Sequence, residues 1–317
     1  MRTVEIGRSP RPVGAVGLGC MGLSWAYTDA SQTRADRVAF LRDAVDAGVD
    51  LFDTSDQYGP FTNEDLVGEA LQGRRDRVYL ATKGGLVVGA DRATTRDGSP
   101  AHLRAAFDAS LDRLRTDRVD LYQLHRVDPA TPLERSWEAL AGVVESGRVT
   151  DIGLSEVTVD EIERARAIHP VASVQSELSL WSQSALRDVV PYCAEHGITF
   201  IAYSPLGRGF LSGTIAGRAS LADGDWRRGN PRFQPAAAEA NTMRFVEPLR
   251  ACADELGVTP AQVALAWVLA AGDRVVTIPG TQRLRYLLDN LAAGDVKIPA
   301  EWMERFARTP EAVGERY

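Results

Sequence analysis

The 317-residue chain is 44% hydrophobic, 25% charged and 7% aromatic, a composition that excludes disordered, collagenous and membrane-embedded classes. Chains of about 300 residues bury roughly 75% of their unfolded surface, so no metal or disulfide is needed for stability and none is expected. The net charge of −7, from 36 basic and 43 acidic residues without a long run of one sign, argues against nucleic acid as a partner.

Cys20, Cys193 and Cys252 are far apart and in no CxxC or Cys/His cluster, which suits a reducing compartment. The N-terminus MRTVEIGRSP lacks an apolar signal core, and VTPAQVALAWVLAAG is too short to span a bilayer. A cytoplasmic protein with no membrane partner is the expectation.

In chain order, TVEIGRSPRPVGAVG reads as a hairpin with Gly7 and Pro10 as turn residues. Apolar runs then alternate with helical patterns. The runs are VGAVGL (13–18), VDLF (49–52), VYLAT (78–82), VDLYQL (119–124), VTDIGL (149–154), VASV (171–174), ITFIA (198–202) and RVVTI (274–278). Between them lie TRADRVAFLRDAVDAG, SPAHLRAAFDASLDRLRT, PLERSWEALAGVVESG and TPAQVALAWVLAAG, with apolar residues at helical spacing. Ser99-Pro100 and Thr259-Pro260 look like helix starts, and Gly48, Gly147 and Gly197 like helix stops. Strand and helix alternating in this way predict an α/β protein, a single (β/α)8 TIM barrel over residues 1–317. Long loops are expected at 84–98 and 206–236, both after strand C-termini, where barrels build their sites.

Gly17-Leu18-Gly19-Cys20-Met21-Gly22 fits the GxGxxG pattern of doubly wound dinucleotide folds. That fold needs the third glycine at a helix start, whereas LSWAYTDAS follows, and no acidic residue ends a second strand at the required distance. A glycine-rich loop after the first barrel strand is the better reading.

A residue leaving the C-terminal end of a barrel strand points into a shared mouth. The polar residues at those positions are Asp53 and Tyr58, Lys83, His125, Ser155 and Glu156, Gln175, Tyr203 and Ser204, and Gly280-Thr281. Each alone has a bland reading, as a turn cap, a solvated lysine or a structural histidine. Together, an acid, a phenol, a cation and an imidazole from three consecutive strands suggest one site. A phenol with a pKa near 10 is a poor acid at neutral pH. Lys83 is placed to lower that value, Asp53 to hold Lys83 protonated, and His125 to donate a hydrogen bond to a carbonyl oxygen. Protonating a carbonyl is half of a reduction. The other half is a hydride, which no side chain supplies, so a nicotinamide is implied.

DTSDQYG (53–59), YLATKGG (79–85), LYQLHRVDP (121–129), IGLSE (152–156), AYSPLGRGFLSG (202–213) and IPGTQRLRYLLDN (278–290) together resemble the aldo-keto reductases. The likeness is closest to the bacterial and plant branch with GLGCMG near the start, GLSE after the fifth strand and GRGFL after the seventh. It implies a barrel that binds NADP(H) across its mouth without a Rossmann unit, with Asp53, Tyr58, Lys83 and His125 as catalytic tetrad and Tyr58 as general acid. It implies further that Ser155, Glu156 and Gln175 hold the nicotinamide carboxamide and that Tyr203 lies under the ring. Gly19 and Met21 would join the cofactor site. Ser204, Pro205, Leu206, Gly207, Arg208 and Gly209 would cover the pyrophosphate. Gly280, Thr281, Gln282 and Arg283 would meet the adenosine phosphate, and Tyr286, Asp289 and Asn290 the adenine. Three departures stand out: Glu156 where the best-known members carry Asn, Tyr286 where Arg is frequent, and Leu178 where Tyr is common.

The expected reaction is NADPH-dependent reduction of a small aldehyde or ketone, reversible to alcohol oxidation. Trp25, Tyr27, Leu86, Trp226 and Phe233 are candidate walls of the substrate pocket. One alternative is a nicotinamide-sensing subunit with little turnover, although no docking extension stands out. Another is a Schiff-base aldolase using Lys83, which leaves GTQR without a role. The sequence sets neither the physiological substrate nor an oligomeric state.

Overall fold

Thr3–Val4 pairs antiparallel with Val13–Gly14 in the computed structural model, which describes residues 2–27 and 31–316. This hairpin takes the first two of the six residues expected as the first barrel strand. The barrel strand itself is the shorter β1 (Leu18–Gly19), because Val13–Gly14 is drawn into the hairpin. The other barrel strands are β2 (Leu51–Asp53), β3 (Tyr79–Gly84), β4 (Val119–Leu124), β5 (Val149–Ser155), β6 (Ser173–Glu177), β7 (Thr199–Tyr203) and β8 (Val275–Thr277).

The eight strands lie side by side in chain order, all parallel. The sheet closes on itself where Gly17 N–H donates to Thr277 O at 2.8 Å and Thr277 N–H donates to Ala15 O at 2.8 Å, with Val16 opposite Thr277. Closure explains two of the glycines that mimic a nucleotide fingerprint. A Cβ on Gly17 would lie 2.7 Å from Leu51 Cγ, and one on Gly19 2.7 Å from Ile278 O. They are small so that β1 can press against β2 and the end of β8. Gly22 has no neighbour within 4 Å of such a Cβ and sits in a short 3-10 turn, not at the start of an α-helix.

The helices begin where their caps place them. Thr33 and Asp36 form a capping box before α1 (Arg34–Asp46), and α2 follows as Thr62–Leu71. Ser99 caps α3 (Pro100–Leu114), with proline at a first-turn position. Next come α4 (Leu133–Glu145), α5 (Val159–Arg166), α6 (Val189–Glu195), α7 (Pro235–Asn241) and α8 (Glu247–Leu256). Thr259 and Gln262 box the start of α9 (Pro260–Leu269), and α10 (Leu284–Ala292) and α11 (Ala300–Ala307) complete the set. Gly48, Gly147 and Gly197 follow α1, α4 and α6 with φ of 95°, 75° and 68°. Core side chains such as Leu51, Phe52, Leu80, Phe107 and Trp137 are fully buried, each worth about 1.5–3 kcal/mol or more.

Both long loops carry structure. Residues 84–98 contain a hairpin, Leu86–Val88 against Thr94–Arg96. The connection after β7 winds through short turns, at Gly207–Ser212, Arg218–Ser220, Trp226–Gly229 and Pro231–Phe233, around a cluster of Trp181, Phe210 and Phe233. The C-terminal tail returns to this loop. Val313 N–H donates to Asn241 Oδ1 at 2.8 Å, Arg232 Nε donates to Gly314 O at 3.2 Å, and Arg208 Nη1 and Asn230 Nδ2 donate to Arg316 O at 2.8 and 3.0 Å.

Among the described residues no helix is long and apolar enough to cross a membrane, and no group of His, Cys, Asp and Glu is placed to hold a metal. Cys20, Cys193 and Cys252 are free and buried.

Candidate active site

At the C-terminal ends of the strands lies a cleft of about 430 Å³. Its floor is built by β2, β3 and β4. Asp53 ends β2, and the chain then turns through Thr54–Gly59 into α2. Asn63 pins this turn: it is fully buried, accepts from Thr54 Oγ1 at 2.7 Å and donates to Cys20 O at 2.9 Å. The pin holds Tyr58 over the floor.

Lys83 on β3 is fully buried, and its ammonium makes three contacts: Asp53 Oδ1 at 2.5 Å, Thr54 O at 2.9 Å and Tyr58 Oη at 3.3 Å. An ammonium has three N–H donors and no acceptor. Tyr58 Oη therefore accepts from Lys83 and keeps its own proton to give. The second Asp53 oxygen accepts from Gln175 Nε2 at 2.8 Å and Gln123 Nε2 at 3.3 Å. With its nitrogen turned to a carboxylate that can only accept, Gln175 keeps Oε1 for another donor.

Burial pushes the Lys83 pKa down, but Asp53 and then Tyr58 outweigh it and the net shift is upward, so the amine stays charged. Burial raises the Tyr58 pKa by more than Lys83 lowers it, and Asp53 adds to the rise. The expectation that Lys83 would bring the phenol down is thus reversed, because removal of water dominates. Tyr58 is a protonated donor throughout the neutral range. His125, after β4, meets the Tyr58 ring edge-on with centroids 5.9 Å apart. Burial first, then Lys83 and Arg126, hold its pKa well below the usual histidine value, so the ring is neutral.

Around this floor the cleft brings together most of the residues expected from the sequence. Gly19, Met21 and Asp53 line one side, with Ser155, Gln175 and Tyr203 opposite. Ser204, Pro205, Leu206, Arg208 and Gly209 form the rim after β7, and Gly280, Thr281 and Gln282 the rim after β8. Ser204, Gly207, Arg208 and Gly209 have φ of 50°, 54°, 59° and 92°, which bends the rim into a concave loop. Gly207 itself lies beneath the rim, against Trp181. Helix α10 starts at Arg283 without a side-chain cap. Trp25, Tyr27 and Trp226 form an outer wall, Tyr27 and Trp226 with ring centroids 5.6 Å apart.

Several expected residues lie elsewhere. Phe233 is fully buried against Trp181 and Phe210, so it is core and not a pocket wall. Leu86 belongs to the 86–96 hairpin and does not line the cleft. Tyr286 is exposed on α10, Asn290 is buried, and Asp289 accepts from Thr259 Oγ1 at 2.9 Å. Glu156 lines a neighbouring hollow with Arg96 and Arg126. Its two oxygens accept from Arg316 Nη1 and Nη2 at 3.0 Å each, and Oε1 also accepts from Glu177 N–H at 2.9 Å.

Arg316 is the residue the sequence did not reveal. It also donates from Nε to buried Glu177 at 2.6 Å and from Nη2 to Tyr203 Oη at 2.6 Å. A lone arginine in an irregular tail carries no local signal of such a role. Arg126 was missed as well: its Nη1 donates to Ser155 Oγ at 2.9 Å on the cleft wall.

The aldo/keto reductase family model matches residues 15–309. The chain belongs to the aldo-keto reductase family. It is an oxidoreductase acting on carbonyl or alcohol groups, and its relatives among solved structures cover it almost end to end. The glycerol dehydrogenase AKR11B4 from Gluconobacter oxydans is 26% identical with a TM-score of 0.83, over 96% of this chain and 94% of that one. AKR11C1 from Bacillus halodurans is 25% identical with a TM-score of 0.79, over 99% and 98%. An aldo/keto reductase from Klebsiella pneumoniae, solved with NADP and acetate, is 25% identical with a TM-score of 0.75, over 99% of each chain.

Proposed function

We propose that this aldo-keto reductase converts an aldehyde or ketone to the alcohol, with Tyr58 as the proton donor. The observation that carries the reading is the proton inventory at Lys83: its three donors are committed inward, so the Tyr58 hydroxyl proton is the one left to give at the cleft floor. As the carbonyl oxygen gains charge, the buried ammonium behind Tyr58 stabilises the phenolate that proton transfer leaves. Neutral His125 fixes the direction of the carbonyl oxygen by a hydrogen bond. Asp53 keeps Lys83 charged and in place.

NADP(H), present in the Klebsiella structure, supplies the hydride when bound. The residues of this chain fit it. Ser155 Oγ and Gln175 Oε1 suit a carboxamide, and Tyr203 offers an aromatic face on the same wall. The concave rim Ser204–Gly209 and the uncapped start of α10 suit phosphates. Glu156 is better read as the anchor of Arg316 than as a carboxamide partner.

A Schiff-base role for Lys83 is disfavoured, since its nitrogen is fully buried, triply bonded by hydrogen bonds and held charged. The test is a panel of aldehydes, ketones and sugars followed by NADPH consumption and repeated with NADH. Turnover on one or more carbonyls supports the reading. Tight NADPH binding with no consumption on any of them would favour the sensor alternative.

A further inference from the structure

The turn between Asp53 and Tyr58 holds a buried acid that the reaction as proposed does not use. Asp56 is 2% exposed, and its Oδ1 lies 3.2 Å from Ser55 Oγ. The same Ser55 Oγ lies 3.1 Å from His125 Nδ1 and accepts from Gln57 N–H at 3.2 Å. One hydroxyl thus stands between the acid and the catalytic imidazole.

A serine hydroxyl has one proton to donate and two lone pairs. The Gln57 amide occupies one lone pair. Of the two other contacts, one receives the Ser55 proton and the other must bring a proton of its own. When Asp56 is ionised it takes the Ser55 proton, and His125 satisfies the remaining lone pair by carrying its proton on Nδ1. When Asp56 is protonated it donates to Ser55, Ser55 donates to His125 Nδ1, and the imidazole proton is on Nε2. No proton is gained or lost at His125 between the two arrangements apart from its shift between ring nitrogens.

We propose that Asp56 is a positioning residue that sets, through Ser55, which nitrogen of His125 carries the proton. The inference rests on the reading of His125 as a hydrogen-bond donor to the carbonyl oxygen. With Nδ1 occupied by Ser55, only the Nε2–H form can donate, and that form needs Asp56 neutral. The surroundings favour the neutral acid. Burial and the nearby Glu64 carboxylate of α2 push its pKa up to about 7, against the opposing effects of Ser55, Arg113 of α3 and the Gln57 amide. Tyr122 of β4 also faces it, as a phenol whose own pKa burial raises well above normal. On the other side of the relay, burial first, then Lys83 and Arg126, keep His125 from taking a second proton. Since Tyr58 stays protonated well into the alkaline range, a loss of activity near neutrality would come from this relay and not from the general acid.

The experiment is nitrogen-15 NMR of His125 in the full-length enzyme, titrated through neutrality, in wild type, Asp56→Asn and Ser55→Ala, alongside the pH profile of kcat. In wild type the Nε2–H form should give way to the Nδ1–H form as pH rises, with kcat falling about tenfold or more, the size of a lost hydrogen bond to a charged group. Asp56→Asn cannot ionise, and with its amide nitrogen turned to Ser55 it donates there at every pH, so the Nε2–H form and kcat should persist through the alkaline range. Ser55→Ala should remove the pH dependence of the tautomer. A wild-type tautomer that does not change with pH, or one that changes identically in Asp56→Asn, overturns the proposal. His125→Gln with undiminished kcat would instead overturn the role of His125 on which it rests, and the NMR titration separates the two failures.

Discussion

Asp53 and Lys83 meet at 2.5 Å beneath the barrel mouth, both essentially removed from water. The pair bonds two strands at the point where they leave the sheet, and neither charge has solvent to fall back on. Removing one partner leaves the other buried and uncompensated. Asp53→Asn is expected to lower stability by about 3–5 kcal/mol and to abolish turnover, because an uncharged Lys83 no longer stabilises the phenolate. Urea unfolding and steady-state rates check both.

Arg316→Ala should weaken NADPH binding by roughly tenfold. The substitution strips Glu156 and buried Glu177 of their guanidinium and frees the Tyr203 hydroxyl, which brings negative charge toward an anionic ligand and loosens the ring expected under the nicotinamide. Fluorescence titration with NADPH measures it, and unchanged affinity would make the tail contact merely structural.

Arg283 stands at the start of α10, which has no side-chain cap. If its charge meets a 2′-phosphate, Arg283→Ala should raise the Kd for NADPH about tenfold and leave that for NADH nearly unchanged, the difference expected for one lost charge-assisted contact. Equal losses for both cofactors would place the residue elsewhere.

Stability should depend on pH through Asp56. Its carboxyl is raised in the folded protein to about 7, so the folded state binds the proton more tightly than the unfolded chain does. The stability this provides is complete below the unfolded value near 4 and is lost as pH rises through 7, at about 1.4 kcal/mol per pH unit over that window. Asp56→Asn, which carries no such proton, should therefore gain on wild type between about pH 4 and 7 and keep that gain above it. His125 acts in the opposite sense: its depressed pKa means stability falls as pH drops below about 6.5. Thermal melts of both proteins across this range would show the difference.

The barrel was readable from the sequence because most strands are a short apolar run followed by a polar residue, and because Ser99 and Thr259 mark helix starts by local chemistry. The same logic placed Asp53, Lys83 and His125 at one mouth. What depends on distant contacts was not readable. The N-terminal hairpin was legible, but not that its pairing with Thr3–Val4 would take Val13–Gly14 out of the first barrel strand. Phe233 looked like any loop aromatic, but the loop after β7 folds around Trp181 and buries it. Neighbouring charge on Tyr58 could be inferred from Lys83, whereas the larger effect of burial needs the packed site. Arg316 reaches Glu156 and Tyr203 only because Asn241, Arg232 and Arg208 fasten the tail.

The central claim is that Tyr58 gives the proton, and Tyr58→Phe tests it most directly, since the change removes one oxygen and leaves the ring. Turnover on a carbonyl substrate should fall by roughly 10²–10⁴, with NADPH affinity within about twofold of wild type. Wild-type turnover in Tyr58→Phe would contradict the account.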